Sequence, residues 1–161
     1  MDVTTQQHEK FMRMAIGLSE KNVNEKLGGP FGAVVVKDGK VIAKSGNKVT
    51  STNDPTAHAE VSAIRMACKK LKTFDLTGCV IYTSCEPCPM CLSAIYWSRI
   101  NTIYYANTKV DAANIGFDDQ FIYEELEKPM AARSLPIQQM LRDEALQAFK
   151  LWEQSSKRIA Y

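Results

Sequence analysis

Two short stretches, His58-Ala59-Glu60 and Pro87-Cys88-Pro89-Met90-Cys91, lie far apart in the chain, yet each stands where a helix is predicted to begin. An imidazole and two thiolates form a good zinc ligand set. A fold that uses them together must bring two helix N-termini to the edge of one sheet. A helix opening at Pro87 puts Cys88 and Cys91 one turn apart, with both sulfurs on the same side. The positive end of that helix favours thiolate over thiol.

Hydrophobic periodicity supplies a frame in which such a meeting can occur. Phe11, Met14, Ala15 and Leu18 follow helical spacing, and Gly28-Gly29-Pro30 ends that segment. Phe31 to Val36 and Lys40 to Ser45 read as strands, with Asp38-Gly39 between them as a hairpin signal. The polar stretch Asn47 to Thr56 reads as a loop. Asp54-Pro55 is a plausible start for a second helix, along which Ala57, Val61, Ile64, Cys68 and Leu71 form one apolar stripe. Cys79 to Thr83 and Asn101 to Ala106 read as two more strands, flanking a helix from Pro87 to about Ser98. Beyond Thr108, Asp118 to Glu127 and Asp143 to Ser155 look helical, and Leu135 to Leu141 is ambiguous. Strands alternating with helices predict a mixed α/β sheet covered on both faces.

Three ligands leave one tetrahedral position open, which marks a catalytic zinc site because water can occupy it. Zinc lowers the pKa of bound water to about 7, so hydroxide becomes the nucleophile at neutral pH. Glu60, two residues from His58, stands near the metal without needing to ligate it, and can shuttle the proton. Other readings of the cysteines are weaker. Cys88 and Cys91 alone could be a redox pair, but no thioredoxin-like context surrounds them. Cys85, Cys88 and Cys91 resemble an iron–sulfur run, yet position 95, where a fourth cysteine would fall, is Ile95. Cys85 precedes the helix and is expected to point elsewhere. Cys68 and Cys79 fall on apolar stripes and read as core. His8, in a polar N-terminal segment, reads as a surface residue.

His-x-Glu followed by Pro-Cys-x-x-Cys is the signature of zinc nucleobase deaminases. With their flanks, Thr56 to Glu60 and Cys85 to Cys91 resemble the cytidine deaminase-like superfamily over nearly the whole chain. Gly28 to Ala33, Gly116-Phe117-Asp118-Asp119 and the terminal Tyr161 look like its bacterial guanine deaminases. That resemblance implies a three-layer α/β/α sandwich around a five-stranded mixed sheet. It implies one Zn2+ per subunit held by His58, Cys88 and Cys91, and hydrolysis of guanine to xanthine and ammonia with Glu60 shuttling protons. It also implies that residues 1–161 form a single deaminase domain in a homodimer, with a C-terminal segment of about residues 120–161 exchanged so that it covers the partner's site. Asn47, Phe31, Ala59, Trp97, Asp119 and Tyr161 match positions that hold the purine. Asp118 remains an alternative to Asp119.

Charge and composition narrow the field further. The formal net charge is +2, too balanced for a large nucleic-acid surface. A deaminase of adenosine in transfer RNA would share both metal motifs but needs a basic C-terminal helix. Here Asp143, Glu144 and Glu153 mix with Lys150, Lys157 and Arg158. Guanosine, ammeline and cytosine remain as alternative substrates, and a catalytically silent zinc-binding dimerisation module as the non-enzyme alternative. Five cysteines without a disulfide pattern, no signal-peptide core and no membrane-length apolar run predict a cytoplasmic protein that meets no membrane.

Overall fold

A computed structural model describes residues 4–161. Helix α1 (Thr5–Asn24) leads into the hairpin of β1 (Gly32–Lys37) and β2 (Lys40–Gly46). Asp38 and Gly39 both take positive φ, +51° and +70°, the conformation a two-residue turn needs to match strand twist. A short helix α2 (Val49–Thr52) and then α3 (Ala59–Leu71) follow. Strand β3 (Cys79–Cys85), helix α4 (Pro89–Trp97) and strand β4 (Thr102–Asn107) complete the sheet.

The strand order is β2-β1-β3-β4. β1 pairs antiparallel with β2 and β3, and β3 pairs parallel with β4. Among the described residues this mixed sheet has four strands, not the expected five. The chain beyond β4 does not supply another. Thr108 ends the extended run with a capping box, accepting from Asp111 N while the Asp111 carboxylate accepts from Thr108 N. That cap starts α5 (Lys109–Asn114), and α6 (Gln120–Glu127) follows.

Alternating side chains divide the sheet between two cores. Ala33, Val35, Cys79 and Ile81 face Ala59, Ala63, Ile64 and Ala67 of α3, joined by Ile95 of α4. Val34, Val36 and Tyr82 face Phe11 and Ala15 of α1. Helices therefore cover both faces. Cys79 is fully buried and Cys68 packs at the edge of the α3 core, as their apolar stripes predict. His8 departs from expectation: it is half-buried, and its Nδ1 lies 2.7 Å from the Tyr82 hydroxyl. A buried phenol without a partner costs about 1–3 kcal/mol, and His8 supplies the partner from α1.

Residues up to Asp119 form one compact unit and Gln120–Tyr161 form a second. The second unit contains α6, a 3-10 turn (Met130–Ala132) and α7 (Arg142–Gln154). The ambiguous stretch 135–141 takes no regular structure. Among the described residues, no helix is long and apolar enough to cross a membrane.

Candidate metal centre and pocket

Two helix caps carry the ligands. Cys88 precedes Pro89, and a residue before proline is driven out of the helical region. Cys88 is accordingly extended (φ −65°, ψ 168°) and caps α4. His58 is extended too (φ −60°, ψ 158°) and caps α3. Both helices begin later than the predicted Pro87 and Asp54-Pro55. The Asp54 carboxylate closes a local turn instead, accepting from the Thr56 amide at 2.8 Å and the Thr56 hydroxyl at 2.7 Å. Cys91 then falls in the first turn of α4, one turn after Cys88.

His58 Nδ1 lies 3.6 Å from Cys88 Sγ and 3.4 Å from Cys91 Sγ. The three ligand atoms lie within 4.8 Å of one another. Tetrahedral zinc, about 2.3 Å from sulfur and about 2.0–2.1 Å from nitrogen, puts those ligand atoms about 3.5 Å apart. Both separations fit, so this group can hold zinc and leave a fourth position open. It is the group of metal-capable side chains found among the described residues.

The electrostatics suit a cation. The Cys91 hydrogen bond is the largest of the effects that pull the Cys88 thiol down to about 4, with His58 adding to it against burial. The same bond, with burial, pushes Cys91 up. The imidazole beside the pair is pushed up by its hydrogen bond to Cys88. Glu60, in the first turn of α3, is buried, and burial pushes its carboxyl up, with the Cys88 charge adding to the effect. Cys85 behaves differently. Burial pushes its thiol up to about 11, and its Sγ lies 3.6 Å from Thr108 O. It is a neutral thiol outside the ligand group.

Glu60, His58 and Cys88 open on a cavity of about 100 Å³ that Phe31, Phe117 and Asp119 also line. Phe31 and Phe117 meet edge to face, with ring centroids 4.9 Å apart at 89°. Such a cavity suits a flat heteroaromatic ring: apolar faces, a few polar groups and a metal position in its lining.

A profile of the cytidine and deoxycytidylate deaminase zinc-binding region matches residues 5–107. The chain belongs to this family. Guanine deaminase of Bacillus subtilis strain 168 is 52% identical over 154 residues, covering 96% of this chain and 99% of that protein. The crystal structure of Bacillus subtilis guanine deaminase superimposes with a TM-score of 0.93 at 52% identity, covering 96% of this chain and 98% of that one. A tRNA-specific adenosine deaminase of Agrobacterium fabrum strain C58 is 46% identical over 95 residues, 59% of this chain and 62% of that protein.

Within this deaminase frame the residues singled out from sequence fall in several places. Phe31 and Asp119 line the metal cavity. Burial pushes the Asp119 carboxyl up. Ala59 is fully buried beside His58 at the start of α3. Asn47 is buried just past β2. Its backbone N donates to Phe31 O at 3.0 Å, and its side-chain Oδ1 accepts from Val49 N at 3.1 Å. Asn47 is not among the cavity walls. Neither is Trp97, which is 65% exposed at the end of α4. Tyr161 is 72% exposed and lies in the second unit.

Three cavity residues, Glu86, Ala112 and Phe117, carried no role in the sequence reading. Phe117 stood inside the Gly116-to-Asp119 motif, where an aromatic between small and acidic residues was the available signal. Glu86 lies between the metal turn and α5. Its Oε2 accepts from Lys109 N at 2.9 Å, and its amide donates to Asn107 O at 2.8 Å. These bonds tie the cysteine turn to the segment that delivers Phe117 and Asp119. Sequence alone holds no pattern for that tie.

Proposed function

We propose that the protein hydrolyses guanine to xanthine and ammonia, with one zinc ion per subunit held by His58, Cys88 and Cys91. The observation that carries this reading is the meeting of those three ligand atoms beside buried Glu60, where His58, Glu60 and Cys88 line one cavity with Phe31 and Phe117. The 52% identity to a guanine deaminase over 96% of the chain supports guanine over other amines. The transfer-RNA deaminase of Agrobacterium fabrum matches 59% of the chain.

When bound, zinc supplies the Lewis acid that makes water nucleophilic at neutral pH. Glu60 takes one proton from the attacking water and gives it to the ring nitrogen, then takes the second from the hydroxyl now on the ring carbon and gives it to the leaving amine. A bond forms from the water oxygen to the ring carbon bearing the exocyclic amine. The carbon–nitrogen bond breaks and ammonia departs. Phe31 packs on the ring and Asn47 hydrogen-bonds its edge. Ala59, Trp97, Asp119 and Tyr161 complete the binding set.

The working form is a homodimer in which residues 120–161 of one subunit cover the site of the other. Support comes from apolar side chains left exposed: Phe121, Leu126, Phe149 and Trp152 in the second unit, and Tyr96, Tyr105 and Val110 in the first. Five free cysteines suit a reducing cytoplasm.

Glu60→Gln tests the mechanism. The amide keeps the shape and cannot accept the proton. The variant is expected to fold, bind zinc at one ion per chain and lose about 10²- to 10⁴-fold in turnover. Turnover equal to the parent protein would sink the assigned role.

A further inference from the structure

Asn22 is a buried amide in the last full turn of α1. Asparagine is a poor helix former and a costly residue to bury, so its partners explain its presence. Its Nδ2 donates to Gly29 O at 3.0 Å and to Asn47 O at 2.7 Å. Both amide hydrogens are thereby used on two backbone carbonyls that belong to different segments.

Those segments are already joined to each other. Phe31 N donates to Gly29 O at 2.8 Å, and Asn47 N donates to Phe31 O at 3.0 Å. The four bonds close a ring that runs from Asn22 through Gly29, Phe31 and Asn47 and back to Asn22. Asn22 is its only side-chain member. The space around it is kept clear: a Cβ at Gly46 would overlap the Asn22 amide, and a Cβ at Gly28 would overlap the Asn47 carbonyl. The opposite end of Asn22 is fixed as well, since its backbone carbonyl accepts from Leu27 N at 2.9 Å.

We propose that Asn22 is a positioning residue for the purine pocket, setting the separation and direction of Phe31 and Asn47. This rests on the guanine deaminase reading, in which Phe31 packs on the base and Asn47 hydrogen-bonds it. Asn47 Oδ1 is engaged by Val49 N, which leaves Nδ2 as the end of that side chain that the proposed contact to the base uses. A small rotation of its backbone would redirect that donor. The metal ligands and Glu60 come from α3 and α4, and no bond of the ring touches them. Loss of Asn22 therefore falls on binding of the base and spares the chemical step, a division that a general loss of stability would not produce.

The test is steady-state kinetics with guanine on zinc-loaded Asn22→Ala, run well below its melting temperature. The expected result is a KM raised about tenfold with kcat within threefold, zinc still at one per chain, and the inhibition constant of xanthine raised by a similar factor. Gly46→Ala leaves Asn22 in place but displaces its amide, and should show the same split. It serves as the reading if Asn22→Ala does not fold. A KM and xanthine inhibition constant within twofold of the parent, in whichever of these variants folds, would overturn the proposal. A parent protein that fails to deaminate guanine would instead overturn the functional reading on which the proposal rests.

Discussion

Tyr82 shows how single residues here are held by partners that arrive from other elements. Its ring stacks on Tyr104 at 5.2 Å, its hydroxyl meets His8, and burial pushes its pKa from 10.0 up to about 12. The folded state thus keeps a proton that the unfolded chain gives up near pH 10. This contribution to stability is complete below pH 10 and is lost as pH rises through about 12. Urea midpoints measured across that window should fall with pH, and Tyr82→Phe should flatten the fall. An equal slope in the variant would contradict the account. Residues whose chemistry fixes their role were legible in sequence: His58, Cys88 and Cys91 are scarce types at metal-binding spacing, and they converge as that spacing requires. Asn22, Glu86 and Phe117 were not legible. Each acts through backbone groups or rings brought close only by the tertiary fold, and an asparagine in a helix or a glutamate in a turn has no signature of its own.

Whole elements were read more easily where periodicity and turn chemistry agreed. The β1–β2 hairpin follows from Asp38-Gly39 between two strand-like stretches, and β3 from an apolar run between breakers. Element boundaries were harder. Both ligand-bearing helices start at the residue after a ligand because local competition decides the cap. Asp54 prefers its own turn with Thr56, and Pro89 forces Cys88 out of the helix. The consequence is functional: His58 and Cys88 stand at helix N-termini, where the macrodipole favours a thiolate. The short helix α2 inside the polar loop carried no periodic signal at four residues. A fifth strand was expected from family likeness alone, and no run of residues beyond β4 reads as one. The Thr108 cap turns that stretch into helix.

At the scale of the whole molecule, the two units differ in how they are built. The first holds both hydrophobic cores and the metal site. The second buries none of its residues and exposes Phe121, Phe149, Leu151 and Trp152. Amphipathic helices of this length draw their stability from covering an apolar face. The homodimer proposed above supplies that cover. Sedimentation equilibrium at micromolar protein should return twice the mass of one chain, whereas a fully active monomer would contradict subunit exchange. The central claim concerns the substrate, and ammonia release reads it most directly. Purified zinc-loaded protein is given guanine, with guanosine, adenine, cytosine and ammeline in parallel. The account predicts that guanine is turned over fastest and yields xanthine in equal amount to ammonia. Release from another member of that panel with none from guanine would retain the metal site and contradict the assignment of Phe31, Asn47 and Asp119 to a guanine pocket.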